Sequence, residues 1–136
     1  MSRPILLIED NEQNRYLVTF LLEKSGYEVL AVGDGARGIE TARTVVPVLI
    51  LLDIQLPTMD GYAVARALRQ NEALRQIPIV AVTSYAMPGD KEKALEAGCN
   101  GYIEKPINPE TFVAEMERAL SPPDGGTDED RADSRR

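Results

Sequence analysis

Three short runs of consecutive apolar residues punctuate the chain, at 5–8 (Ile-Leu-Leu-Ile), 48–52 (Val-Leu-Ile-Leu-Leu) and 79–82 (Ile-Val-Ala-Val). Runs of this length without polar alternation predict strands covered on both faces, as in a parallel sheet. Two weaker runs, 28–32 and 101–104, mix apolar with charged or small residues and predict strands at or near the sheet edges. Between the runs, apolar residues recur at helical spacing: Leu17, Phe20 and Leu21; Ala36, Ile39, Ala42 and Val46; Val64, Ala65 and Leu68. A charged segment at 90–97 offers Ala94 and Leu95 as its apolar contacts, and Phe112, Val113, Met116 and Leu120 mark a last helix. Gly26 and Gly98 stand where helices end, Asp60 and Asn108 suit N-caps, and Pro109 suits a first helical position.

Strict alternation of strand and helix implies right-handed crossovers with helices on both faces of the sheet. If the three most apolar strands are central, the order 2-1-3-4-5 fits, because it places the first, third and fourth inside; the expected class is α/β, a flavodoxin-like, doubly wound (βα)5 fold with a five-stranded parallel sheet. After Leu120 the composition turns to Ser121-Pro122-Pro123-Asp124-Gly125-Gly126 and a polar run to Arg136 in which Ala132 is the single apolar residue. Such a segment buries too little surface to order itself. The expected organisation is one domain at 1–120 and a disordered polar tail at 121–136, with no room there for an effector domain.

Composition narrows the chemistry. The 136 residues include no histidine, no tryptophan and one cysteine, Cys99. No Ser-His-Asp or Cys-His catalytic group, no His-ligated metal and no internal disulfide is available. A formal net charge of −7 disfavours nucleic acid as a partner. No apolar stretch reaches the roughly 18 residues of a membrane span, so the chain is expected to be cytoplasmic with no membrane partner.

In an open α/β sheet the ligand site lies beyond the carboxyl ends of the strands. Glu9 and Asp10 follow the first run, Asp53 the third, Thr83 the fourth, and Lys105-Pro106 the fifth. Clustered carboxylates repel unless a cation or protons intervene. Oxygen-only ligands with open positions suit Mg²⁺, with Mn²⁺ or Ca²⁺ as alternatives. Asp53 can then act as a nucleophile, with Lys105 and Thr83 serving phosphoryl oxygens.

Each residue alone has an ordinary explanation. Glu9-Asp10 could cap a helix, Asp53 could belong to a turn, Thr83 could be a strand-end β-former, Lys105 a solvated loop lysine and Tyr102 an edge-strand aromatic. Their convergence on one sheet end is what singles them out. Two rival functions face specific objections. A flavodoxin-like flavin or nucleotide binder needs a phosphate cradle, yet the loop Glu9-Asp10-Asn11-Glu12 is acidic. An Asp-nucleophile phosphohydrolase of the haloacid dehalogenase type needs a second acid two residues on, where Gln55 stands.

The segments Leu7-Ile8-Glu9-Asp10-Asn11, Leu52-Asp53-Ile54-Gln55-Leu56-Pro57-Thr58-Met59-Asp60-Gly61, Val82-Thr83-Ser84-Tyr85-Ala86 and Tyr102-Ile103-Glu104-Lys105-Pro106 resemble the motifs of the receiver domain of two-component response regulators. The single-domain, cell-division type looks most similar, and a receiver excised from a hybrid kinase is the alternative. The resemblance implies Asp53 as phosphoacceptor and Asp10, Asp53 and the backbone carbonyl of Gln55 as Mg²⁺ ligands, with Glu9 acting directly or through water. It further implies Thr83 and Lys105 on the phosphoryl oxygens, a cis Lys105-Pro106 bond and Tyr102 as an aromatic switch. Such a domain catalyses its own phosphorylation and dephosphorylation but acts chiefly as a switch. The implied donor is a phosphohistidine on a histidine kinase or histidine phosphotransfer protein, and the implied output is a downstream protein bound through helix 4, strand 5 and helix 5. Ser84 departs from the Ala or Gly common at its position, and Gln55 and Tyr85 occupy variable positions that tune dephosphorylation.

Overall fold

The structure, a computed structural model, describes residues 3–56, 59–84 and 88–120. The expected tail at 121–136, Tyr85, and the motif residues Pro57, Thr58 and Ala86 lie outside the described residues. The elements run β1 (Ile5–Ile8), α1 (Glu12–Lys24), β2 (Val29–Val32), α2 (Gly35–Val45), β3 (Leu49–Asp53), α3 (Gly61–Gln70), a 3-10 turn (Glu72–Leu74), β4 (Ile79–Thr83), α4 (Asp90–Glu96), β5 (Gly101–Glu104) and α5 (Phe112–Glu117). All pairings are parallel, in the order β2-β1-β3-β4-β5. The order matches the sequence-based expectation, and the continuous apolar runs are the three inner strands.

Alternate residues of the inner strands feed two cores. Leu6, Ile8, Ile50, Leu52, Ile79 and Ala81 face a layer built from Ala42, Val64, Ala65, Leu68 and Ala94 on α2, α3 and α4. Ile5, Leu7, Leu49, Leu51, Val80 and Val82 face Val18, Leu21, Leu22, Phe112 and Met116 on α1 and α5. Each fully buried Leu, Ile or Phe side chain contributes about 1.5–3 kcal/mol through water excluded from its surface, so the two layers hold the strands from both sides.

Helix faces are where the sequence pattern and the structure part. α1 turns Val18, Leu21 and Leu22 inward and leaves Phe20 52% exposed, with the Lys24 ammonium 6.0 Å from its ring centroid. On α2 the buried residues are Gly35, Gly38 and Ala42, while Ala36 is exposed. The reason is a close approach: a Cβ at Gly38 would run into the Ile8 side chain. Leu95 is exposed and Ala94 alone faces inward from α4. α5 begins at Phe112, three residues after Pro109, and Asn108 accepts from Glu110 N–H in the preceding turn rather than capping the helix.

Asp60 does cap α3, accepting from Tyr62 N–H at 3.0 Å. Beside it Gly61 donates its N–H to Ile54 O at 3.1 Å, and a Cβ there would lie 2.8 Å from that oxygen and closer still to Ile54 Cα. This contact seats the start of α3 against the residue that follows β3. Gly61→Ala is therefore expected to cost about 2 kcal/mol through overpacking, whereas Leu95→Ala on the exposed face of α4 changes stability by less than about 0.5 kcal/mol. Urea unfolding of both variants checks the contrast.

Candidate functional site

Parallel strands present all their carboxyl ends to one side, and the register decides which residues meet there. Ile8 pairs with Leu52, Asp53 with Val82, and Thr83 with Glu104. Glu9 thus emerges beside Asp53, and Lys105 emerges beside Thr83, to whose carbonyl its N–H donates at 2.8 Å. Glu9, Asp53 and Thr83 are the buried polar side chains among the described residues, at 3%, 2% and 1% exposure. Asp10 is exposed at the rim.

Lys105 Nζ lies 3.2 Å from Glu9 Oε1 and 3.3 Å from Asp53 Oδ2, forming one ammonium bridge between two buried carboxylates. Carboxylate oxygens of Glu9, Asp10 and Asp53 lie within 4.8 Å of one another. Negative charge therefore exceeds positive charge in a desolvated corner. Burial, followed by the neighbouring Asp53 carboxylate, pushes Glu9 up to about 7. Burial alone would lower Lys105, but the carboxylates of Asp53 and Glu9 outweigh it and leave its ammonium held above the ordinary lysine value. A hard divalent cation fits this donor set: oxygen ligands only, with charge left over after Lys105 is counted.

Local structure holds each group in place. Asn11, not Glu9 or Asp10, caps α1, accepting from Asn14 N–H at 2.8 Å. That frees both acids for the cluster, while Asn11 N–H donates to Glu9 Oε2. Arg15, one turn into α1, donates from Nη1 to the carbonyls of Glu9 and Asp10 at 2.9 and 3.2 Å. Sequence reasoning missed this brace, because a half-buried helical arginine carries no signal of which carbonyls it reaches. Gln55 N–H donates to Asp53 Oδ1 at 2.9 Å, which sets the Gln55 backbone beside the acidic cluster. The Gln55 carboxamide oxygen accepts from both Ser84 N–H and Ser84 Oγ, at 2.9 and 2.8 Å. This link between the loops after β3 and β4 was not legible from the sequence either.

The Lys105-Pro106 peptide bond is cis. Tyr102 is half-buried on β5 and packs against the α3 and α4 side of the core; burial, then the Asp90 carboxylate, raise its hydroxyl. Cys99 is a buried free thiol pushed up to about 11 by burial, a core residue rather than a reactive one. Among the described residues no helix is long and apolar enough to cross a membrane.

Comparison with known proteins follows the same geometry. Residues 5–117 match the family described as the response regulator receiver domain. The polar-differentiation response regulators DivK of Brucella ovis and Brucella abortus are each 42% identical to this chain over 120 residues, spanning 88% of it and 98% of their own length. Among solved structures, chemotaxis protein CheY4 of Vibrio cholerae has a TM-score of 0.83 at 28% identity, covering 88% of this chain and 99% of its own. The receiver domain of the sensor histidine kinase PA1611 from Pseudomonas aeruginosa, solved with a magnesium ion in its active-site cleft, has a TM-score of 0.80 at 36% identity, covering 88% of this chain and 98% of its own.

The surplus of carboxylates has a measurable consequence in the metal-free protein. Folded Glu9 keeps its proton to about pH 7, whereas the ordinary value is 4.5. Between those values the folded chain binds more protons than the unfolded chain, so this group makes stability fall as pH rises, by about 1–3 kcal/mol. Urea unfolding in chelator across pH 4.5 to 7 is expected to show that fall in the wild type and a flatter profile in Glu9→Gln.

Proposed function

The chain belongs to the response regulator receiver domain family, and from that premise we propose that Asp53 is its phosphoacceptor. Receiver domains are phosphorylation switches that work between histidine kinases or phosphotransfer proteins and downstream targets. The observation that carries the reading for this chain is the Asp53 carboxylate, 2% exposed at the end of β3, with Oδ2 on Lys105 and the Glu9 and Asp10 oxygens beside it.

Receiver domains use Mg²⁺ at their acidic site; here Asp10, Asp53 and the Gln55 backbone carbonyl would hold it, with Glu9 direct or through water, and Mn²⁺ suits the same oxygens. When bound, the ion supplies positive charge against that of an arriving phosphoryl group. The rest falls to the chain. An Asp53 oxygen forms a bond to phosphorus as the phosphorus–nitrogen bond of the donor phosphohistidine breaks, its electron pair leaving on the imidazole. The Lys105 ammonium and the Thr83 hydroxyl serve the phosphoryl oxygens, both groups standing on strand ends fixed by the sheet. The flavin or nucleotide alternative is disfavoured by the same geometry, since its phosphate would meet the buried carboxylates of Glu9 and Asp53.

Phosphorylation adds three acceptor oxygens beyond β3. In our reading they draw in Thr83 and let Tyr102 turn inward, reshaping the surface of α4, β5 and α5 for a protein partner. Moving the population from 1:99 to 99:1 takes about 5.5 kcal/mol of differential interaction. Residues 1–120 form the receiver unit in this proposal, in keeping with the family match over 5–117. It takes the chain to act in the cytoplasm, consistent with the free thiol of Cys99.

Incubation with a small phosphodonor, followed by intact-mass measurement, tests the assignment. Wild type is expected to gain one phosphoryl group in Mg²⁺ and none in chelator, and Asp53→Asn to gain none; uptake by Asp53→Asn would overturn it. Lys105→Met is expected to slow uptake by about 100-fold, the cost of one preorganised charge at the transition state.

A further inference from the structure

Arg15 reaches back from α1 to the turn that carries Asp10. Its Nη1 donates to the carbonyl oxygens of Glu9 at 2.9 Å and of Asp10 at 3.2 Å. Among the described residues no backbone N–H donates to either oxygen, so their protein partner is the guanidinium. The same nitrogen sits against the backbone that follows β2, where a Cβ at Gly33 would lie 3.3 Å from it. Glu9 N–H donates to Val32 O at 3.0 Å, which ties the turn to that strand as well.

The two carbonyls belong to the two peptide units that meet at Asp10 Cα. A peptide unit is planar, so the backbone at Asp10 turns only about φ and ψ. Tying both units to one nitrogen restricts both angles, and with them the direction in which the Asp10 side chain leaves the backbone. Asp10 depends on this restraint more than its neighbours do. Glu9 and Asp53 are buried and paired with Lys105, whereas Asp10 is exposed at the rim, with a carboxylate oxygen within 4.8 Å of theirs. In the described contacts Arg15 donates to the main chain and not to the carboxylates, which leaves the acids open to a cation.

We propose that Arg15 is a positioning residue that sets Asp10 for a divalent cation and thereby favours Mg²⁺ over Ca²⁺. The inference rests on the acidic cluster as the Mg²⁺ site and names what gives that site its geometry. Mg²⁺ demands near-ideal octahedral oxygens, while Ca²⁺ accepts a looser set, so slack at Asp10 costs the smaller ion more. Charge alone acts in the opposite direction. A guanidinium beside the cluster repels any cation, so deleting it as a mere charge tightens both ions.

The experiment titrates Mg²⁺ and Ca²⁺ calorimetrically into metal-stripped wild type, Arg15→Met, Arg15→Lys, Asp10→Asn and the Arg15→Met/Asp10→Asn pair. Arg15→Met is expected to weaken Mg²⁺ about tenfold, the usual cost of losing a group that orients a ligand, and Ca²⁺ by less than about threefold. Arg15→Lys, with the charge kept on a shorter stem, is expected to show the same preference at a smaller loss, and it carries the test on its own if Arg15→Met unfolds. In the Asp10→Asn background Arg15→Met is expected to weaken Mg²⁺ no further. Unchanged or tighter Mg²⁺ binding by Arg15→Met, equal weakening of both ions, or a further loss in the Asp10→Asn background would overturn the role of Arg15 while leaving the cluster as a Mg²⁺ site. A wild type that binds no Mg²⁺ overturns the metal site and this role together.

Discussion

Glu9 and Asp53 are held side by side, nearly without solvent, against a single ammonium. Burial, and then the neighbouring Asp53 carboxylate, lift Glu9 to about 7 despite the ammonium of Lys105. The corner is thus prepared for positive charge. A cation relieves the conflict, and a phosphoryl group can approach only where that charge is supplied. Both needs trace to one decision of the fold, which sets acids at the ends of adjacent parallel strands.

Holding such a cluster requires a frame stiff enough to resist its repulsion. The frame is a sheet packed on both faces, with inner strands that are fully buried along their length. Smaller contacts then fix the strand ends: Asn11 caps α1, Arg15 braces the carbonyls of Glu9 and Asp10, Gly61 packs on Ile54, and Gln55 joins the end of β3 to Ser84. Arg69 performs a similar task away from the site, where its guanidinium links α3 to Gly98 O and to Asn100 Oδ1 ahead of β5.

Stability is spread unevenly across this frame, and the unevenness bears on switching. α4 runs only from Asp90 to Glu96, starts at Gly89 without a side-chain cap, and buries Ala94 alone. Helices with so few buried contacts lie at the low end of local stability. It follows β4, whose last residue is Thr83, and lies next to β5, which carries Tyr102. α4 is thus a weakly anchored element packed next to the strand that carries Tyr102, the residue the proposed switch would turn.

Fold and site were legible to different depths, for physical reasons. Apolar runs reported the inner strands directly, because a strand buried on both faces tolerates little else, and the order expected as one that places those three inside is the order observed. Helix faces were read less well: Phe20, Ala36 and Leu95 fit an apolar stripe yet face solvent, and on α2 the close approach of Ile8 selects Gly38 by size rather than by polarity. At the site, the sequence by itself determined which groups stand at the strand ends, because strand order and the carboxyl-end rule need no coordinates. Only the tertiary structure decided that Lys105 bridges Glu9 and Asp53, that Asn11 caps α1 in place of the two acids while Arg15 braces their carbonyls, and that Ser84 binds the Gln55 oxygen. Those outcomes depend on distances of a few ångströms between residues far apart in the chain, and residue type carries no record of them.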